Sequence, residues 1–248
     1  MLCKNCSQKV KGNFCQNCGQ KTNVGRIDFN YLIKEVPQSF FQLDRGFFFT
    51  VRELFLRPGH SLREFIGGKR KNFYKPIAFV LITSTLYVLS TYLMGTKTFM
   101  AEMLIGFTEG IQASDFQNGG KTVDWIVKNQ SYLAFLVLPI FSLASYLAFI
   151  RSDYNYIEHL ILNLYISGQQ MLIYLMFSFI GTDENAWIAT PIILGITYNI
   201  WTYLQFFNEK KLATRFWLIG LSYLIFFAIP FLILFIAGTI VNLFSMTT

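Results

Sequence analysis

The chain of 248 residues is predicted to be an all-α membrane protein. About five transmembrane helices, preceded by interfacial helices and a small zinc ribbon, make up this expectation. Three observations carry it. Apolar residues make up 53% of the sequence and charged residues only 14%, against about 25% charged in a soluble domain. Beyond Lys75, five apolar runs each approach the ~20 residues that cross a bilayer. All four cysteines sit ahead of these runs, as Cys3-x-x-Cys6 and Cys15-x-x-Cys18. The expected domains are a zinc ribbon over residues 1–25, an interfacial amphipathic basic segment over 26–75, and a transmembrane bundle over 76–248.

The ribbon comes first. Thiolates bind Zn²⁺ tetrahedrally, and a gap of two residues lets both sulfurs of a knuckle face one ion. Cys3, Cys6, Cys15 and Cys18 are therefore the expected ligands of one structural zinc. Lys4, Lys9, Lys11 and Lys21 would offset the double negative charge of a four-thiolate site. The short stretch from Ser7 to Phe14 leaves room for one tight hairpin, with Gly12-Asn13 at its turn. In so small a unit, metal ligation supplies most of the stability. Four protein ligands leave no open position, which argues against catalytic zinc. A redox pair is the rival, but such pairs sit at a helix start in a thioredoxin-like unit, and none is visible. Reduced thiols fit the cytosol. The first twenty residues are mostly polar and lack the apolar core of a signal peptide.

Residues 26–75 follow. Phe40, Phe41, Leu43, Phe47, Phe48, Phe49, Val51, Leu54, Phe55 and Leu56 alternate with Asp44, Arg45, Arg52, Glu53 and Arg57. This pattern predicts one or two interfacial helices, broken near Gly46, with the apolar face at the headgroup boundary. Pro58-Gly59 reads as a turn, and Ser61 as the cap of a short helix from Leu62 to Ile66 that Gly67-Gly68 ends. Arg57, His60, Arg63, Lys69, Arg70 and Lys71 are the candidate contacts to lipid phosphate. The simpler reading, an anchor collar that fixes topology, is favoured. Gly67-Gly68-Lys69-Arg70 is not a nucleotide loop, because the spacing glycine and the following Ser or Thr are missing.

The first span is read from Pro76 to Met94 and the second from Tyr132 to Ile150. The third spans Ile157 to Ile180 and the fourth Ala186 to Phe207. The fifth, Phe216 to Phe244, is long enough to tilt or to kink at Pro230. Fourteen of the 21 basic residues precede Pro76. Arg151, Lys210, Lys211 and Arg215 fall on the same side. Only Lys97, Lys121 and Lys128 fall opposite, diluted by Glu102, Glu109, Asp115 and Asp124. The positive-inside rule then places the N-terminus in the cytosol and the C-terminus outside. The net charge of +7 is thus a topology signal, and nucleic acid is not an expected partner. In the outer loop, Phe99, Met103, Phe107 and Ile111 recur at helical spacing ahead of a turn at Asn118-Gly119-Gly120.

The third span is the most polar. Glu158 and His159 open it, with Asn163, Gln169 and Gln170 deeper in. At ~100° per residue, His159, Asn163 and Gln170 lie within about 40° of one another. Such groups are costly in lipid and should face the bundle interior or a wet cavity. The fourth span offers partners, among them Asn199. Helix-to-helix hydrogen bonding is the favoured reading, ahead of a substrate, ion or proton path and of catalysis by His159. A metal site here is weakened because the second histidine, His60, is remote, and no second carboxylate falls inside a span.

Four stretches together resemble an uncharacterised family of bacterial multi-pass membrane proteins with an N-terminal four-cysteine zinc ribbon. They are Phe14-Cys15-Gln16-Asn17-Cys18-Gly19-Gln20, Arg57-Pro58-Gly59 through Gly67-Gly68-Lys69-Arg70, Tyr74-Lys75-Pro76, and Tyr156-Ile157-Glu158-His159-Leu160. The resemblance implies an inner-membrane location and zinc binding, and no particular activity. Relatives carry further histidines after the Glu-His pair. Here Asn163 and Tyr165 stand in that stretch, which argues against a histidine-cluster metal site.

The expected function is that of a non-enzymatic scaffold or regulatory membrane protein whose cytosolic zinc module docks a protein partner. The alternative is a channel or transporter with its path along the third and fourth spans, and a lipid enzyme stands third. No catalytic residue is assigned. The bilayer, including anionic phospholipid, is an expected partner, and five spans per chain are compatible with a homo-oligomer.

Overall fold

The computed structural model describes residues 1–35, 45–99, 101, 130–179 and 185–247. Among the described residues eight helices follow the cysteine module: α1 (Phe29–Glu35), α2 (Arg45–Leu56), α3 (Pro58–Gly67), α4 (Pro76–Met94), α5 (Gln130–Ala148), α6 (Tyr156–Ser178), α7 (Asn185–Phe206) and α8 (Leu212–Thr247). Among the described residues there is no strand, only two isolated antiparallel bridges inside the module. Three helical stretches among the described residues are long and apolar enough to cross a membrane: Pro76–Met94, Tyr156–Ser178 and Leu212–Ile229. A shorter apolar helix covers Val137–Ala148. The molecule is an all-helical membrane protein.

Each long helix has a local reason to start or stop. Pro76 occupies the first turn of α4, where its missing N–H costs nothing. Gly95 takes a left-handed conformation after Met94 and closes that helix. Asn155 and Glu158 cap α6 reciprocally: the Asn155 side chain accepts from the Glu158 N–H at 2.9 Å, and the Glu158 carboxylate accepts from the Asn155 N–H at 2.8 Å. α8 runs unbroken from Leu212 to Thr247, through the position of Pro230.

The sequence reading of the 58–67 stretch is corrected. Pro58-Gly59 is not a turn but the first turn of α3, and Ser61 does not cap it. Proline is well suited to a first helical position. Gly59 packs directly on the end of α7, where an added Cβ would come within 2.4 Å of Gln205 Cβ and of the Phe206 nitrogen. The Ser61 hydroxyl instead donates to Glu53 at 2.8 Å. The end of the helix is as expected: Gly68 is left-handed at φ 115°, and the Lys69 N–H closes back on the Glu64 carbonyl at 2.9 Å. Gly46, where a break was expected, lies inside α2, and the residues just before Arg45 lie outside the described residues. The outer-loop helix and its turn lie outside the described residues apart from Phe99, which stacks on Tyr87. So do Phe40, Phe41 and Leu43.

α6 is the centre of the bundle. It packs on α4, α5, α7 and α2, and α8 packs on α5 and α7. Within its apolar stretch 44% of residues are buried in protein, against 11% for the stretch in α8. Gly168 lets α4 approach, since a Cβ there would meet the Phe79 ring at 2.5 Å. Around the end of the bundle nearest the module, an aromatic layer joins Phe47, Phe65, Phe73, Tyr74, Phe79 and Tyr165 edge-on or tilted. The Thr50 hydroxyl accepts from the Tyr74 N–H at 2.7 Å and ties α2 to the start of α4.

Candidate metal centre and the helix it is docked on

The cysteine module is two copies of one knuckle, twelve residues apart. The Cys3 N–H donates to the Gln8 carbonyl, and the Cys15 N–H to that of Gln20. Ser7 donates to Cys3, as Gly19 does to Cys15, and Val10 to Met1, as Thr22 does to Asn13. The bridges Leu2 to Lys9 and Phe14 to Lys21 match in the same way. Each copy turns on one left-handed residue, Ser7 at φ 60° and Gly19 at φ 70°. The Gly12-Asn13 bend joins them. The sequence carries this signal as Cys-x-Asn-Cys-x-Gln-Lys in both halves, a repeat that a reading by cysteine spacing alone passes over.

The two knuckles bring four thiols together. Their sulfurs all lie within 4.8 Å of one another, with Cys3 to Cys18 at 3.6 Å and Cys6 to Cys15 at 3.4 Å. None is in a disulfide. A tetrahedral ion with ~2.3 Å bonds to sulfur holds its ligands about 3.8 Å apart, so the four fit one metal ion. The backbone prepares the thiolates. The Gln8 N–H, helped by the Asn17 side chain, draws the Cys6 thiol down to about 6. The N–H groups of Cys6 and Asn5 lower that of Cys3. Burial pushes Cys18 up to about 11. An ion held by all four thiolates would have no position open to substrate.

The second knuckle is docked on the bundle. Gln20 is buried, and both ends of its amide are bonded. It donates to the Gly68 carbonyl at 2.9 Å and accepts from the N–H groups of Arg70 and Lys71 at 3.0 and 3.1 Å. The chain leaving the module is fixed to α6. Arg26 forks onto both Glu158 oxygens at 3.0 and 2.8 Å and also reaches the Asp153 carbonyl. The Asn155 amide donates to the Ile27 carbonyl at 2.9 Å, and Ile27 is fully buried. Glu158 holds the Arg26 guanidinium above its usual range, through the hydrogen bond first and its charge second. Glu158 thus sits in the first turn of α6, 3% exposed, as cap and ion-pair partner together.

Deeper along α6, the polar residues meet α5 and α7. His159 Nδ1 lies 2.9 Å from the Ser145 hydroxyl. Asn163 donates to Ser142 at 3.1 Å and accepts from the Tyr203 hydroxyl at 2.9 Å. Gln170 donates to the Gly195 carbonyl at 2.8 Å. Asn199 accepts from Tyr223 of α8 at 3.0 Å. Gln169 is different. It is fully buried, and neither its oxygen nor its nitrogen has a hydrogen-bond partner among the described residues. His159 Nε2 is also buried and unpartnered.

The six basic residues expected at lipid phosphate have neighbours within the protein. Arg57 pairs with Glu53 and Glu64. Arg63 donates to the Gln205 and Phe206 carbonyls at the end of α7, and to His60 Nδ1 at 2.6 Å. Lys69 pairs with Glu64 at 2.8 Å, which lowers the Glu64 carboxyl from its ordinary value. Arg70 donates to the Phe65 and Gly25 carbonyls and lies over the Tyr31 ring. Lys71 lies against Gly19 of the second knuckle. Sequence reasoning offered Tyr203 as a fourth-span partner of the polar face, and missed Gln20, Arg26 and Ser145, because each takes its role from a partner at least 14 residues away.

These features define a membrane-embedded helical protein with a four-thiol module docked on its central helix. Residues 44–88, which hold α2, α3 and most of α4, match the family model described as a protein of unknown function (DUF3667). The module and the Glu158-His159 stretch lie outside that match. No curated protein and no solved structure matches the chain.

Proposed function

We propose that the protein is a non-enzymatic scaffold of the bacterial inner membrane, with five spans and a cytosolic zinc-bound module that presents a fixed surface to a protein partner. The observation that carries this reading is the double clamp, Gln20 on the Gly68–Lys71 loop and Arg26 on Glu158. It makes the module and the central helix one mechanical unit. A flexible tether would need no such bonds. Zinc is the ion that suits four thiolates in a closed tetrahedral set. The basic residues ahead of Pro76 support a cytosolic N-terminus. The bonding of His159, Asn163 and Gln170 to neighbouring helices supports a packing role for the polar face.

The test compares two variants in liposomes and in cells. The scaffold reading expects no ion flux from the wild type, and a cross-linked complex that is lost with Cys15→Ser but kept with Asn163→Leu. Wild-type flux that Asn163→Leu abolishes would overturn it. That result would favour the second reading, a path along α6, which draws on one observation: Gln169 keeps a whole amide buried and unpartnered.

A further inference from the structure

α2 is apolar on both sides, which a helix between bundle and water cannot be. Phe47, Thr50 and Leu54 are buried against the bundle. On the other side Phe48 is 73% exposed, Phe55 41% and Leu56 62%. Phe48, Arg52, Phe55 and Leu56 fall within about 100° of one another around the helix. Arg52 is therefore a cation set in an exposed apolar face. It has no ion-pair or hydrogen-bond partner among the described residues. Its neighbours Arg57, Arg63 and Arg70 are all occupied by protein acceptors.

One turn beyond Arg52, Phe55 forms one wall of a groove of about 370 Å³. Ile173 and Met176 of α6 and Leu194, Thr197 and Trp201 of α7 supply the others. The lining is almost wholly apolar, and the groove runs along two helices of the bundle. Tyr198 closes its base by donating to the Leu54 carbonyl at 3.1 Å. An apolar trough along the helices, with an unpaired guanidinium at the helix that walls it, has the chemistry of a phospholipid: an acyl chain for the trough and a phosphate for the arginine.

We propose that this groove binds one phospholipid of anionic headgroup, its chain against Phe55, Met176 and Trp201 and its phosphate on Arg52. The proposal rests on the membrane reading of the helices and is independent of whether the protein is a scaffold or a channel. Lipids that only surround the protein exchange freely and show no preference. A lipid in this site is retained and selected by charge.

The experiment is native mass spectrometry of the metal-loaded protein after exchange into equal phosphatidylglycerol and phosphatidylcholine. The wild type is expected to keep one phosphatidylglycerol per chain. Arg52→Gln should lower that preference about tenfold, the worth of one charge-assisted bond, while Arg52→Lys keeps most of it. Thr197→Trp, which fills the trough, should reduce retention of both lipids. Retained metal and an unchanged melting curve control for folding. If Arg52→Gln fails that control, Thr197→Trp decides. No headgroup preference in the wild type, unchanged preference in a folded Arg52→Gln, or undiminished retention in Thr197→Trp would each overturn the proposal.

Discussion

The two knuckles share a sequence pattern, a backbone and one candidate ion, yet they face different surroundings. Gln20 of the second is buried and gripped by three backbone groups of the Gly68–Lys71 loop. Gln8, its counterpart twelve residues earlier, is exposed. Gly19 turns the second knuckle against Lys71, whereas Ser7 makes the same left-handed turn in the open. Local sequence dictates the knuckle; what the side chain meets dictates its energetic weight. The comparison says that metal loss should affect both copies together, while substitutions around the ion should separate them.

Metal removal gives the largest expected effect. Chelation should unfold residues 1–25 as a unit and leave the helical signal of the bundle nearly intact. The binding energy of a structural zinc site, about 10–16 kcal/mol at neutral pH, is folding energy for such a module. Cys3→Ser in the first knuckle and Cys18→Ser in the second should then be equally damaging, read as tryptic cleavage at Lys9, Lys11 and Lys21. A module that resisted trypsin without metal would contradict the four-thiol account.

Next in size is the amide pair. Gln20→Ala removes three hydrogen bonds and leaves backbone groups unpaired, and should cost about 2–3 kcal/mol of module docking. Gln8→Ala should stay within about 0.5 kcal/mol, as an exposed substitution does. Equal effects would mean that the second knuckle is not docked as described. The turn residues should show a smaller, opposite split. Ser7→Gly relieves a left-handed serine and should be neutral or stabilising by up to ~1 kcal/mol, and Gly19→Ser should cost about 1 kcal/mol. Thermal melting of metal-loaded protein reads both.

The smallest effect is in pH. Glu64 is paired with Lys69, inside the loop that Gln20 reads, and its carboxyl is lowered. A lowered carboxyl contributes stability above its unfolded value, and the contribution fades as pH falls through its folded value. Acid below about pH 4 should therefore loosen the second knuckle's seat first. Glu64→Gln should flatten that dependence at slight cost at neutral pH, since the pair is partly exposed.

Much of the helical plan was legible in composition. The first span, Pro76 to Met94, is marked by proline at one end and glycine at the other, and both signals are local. The third span was legible as polar, because amides at its spacing must find partners. Tyr203 was legible as one such partner, while Ser142 and Ser145 were not, since they arrive from α5. Pro58-Gly59 misled for a related reason. The pair is ordinary turn chemistry in isolation, and what makes Gly59 helical is the surface of α7, 146 residues onward. Glu158 looked like a membrane carboxylate until Arg26, 132 residues before it, supplied the counter-charge. The four ligands were legible because metal spacing is written along the chain. The docking of their module was not, because it is written across it.

Backbone hydrogen exchange at residues 69–71 tests the central claim most directly. The Arg70 and Lys71 N–H groups donate to Gln20, while the Lys69 N–H donates to Glu64 within α3's own cap. In metal-loaded protein all three should be protected. Chelation or Gln20→Ala should expose Arg70 and Lys71 and leave Lys69 slow. Unchanged protection at Arg70 and Lys71 after either treatment would contradict a module seated on the bundle.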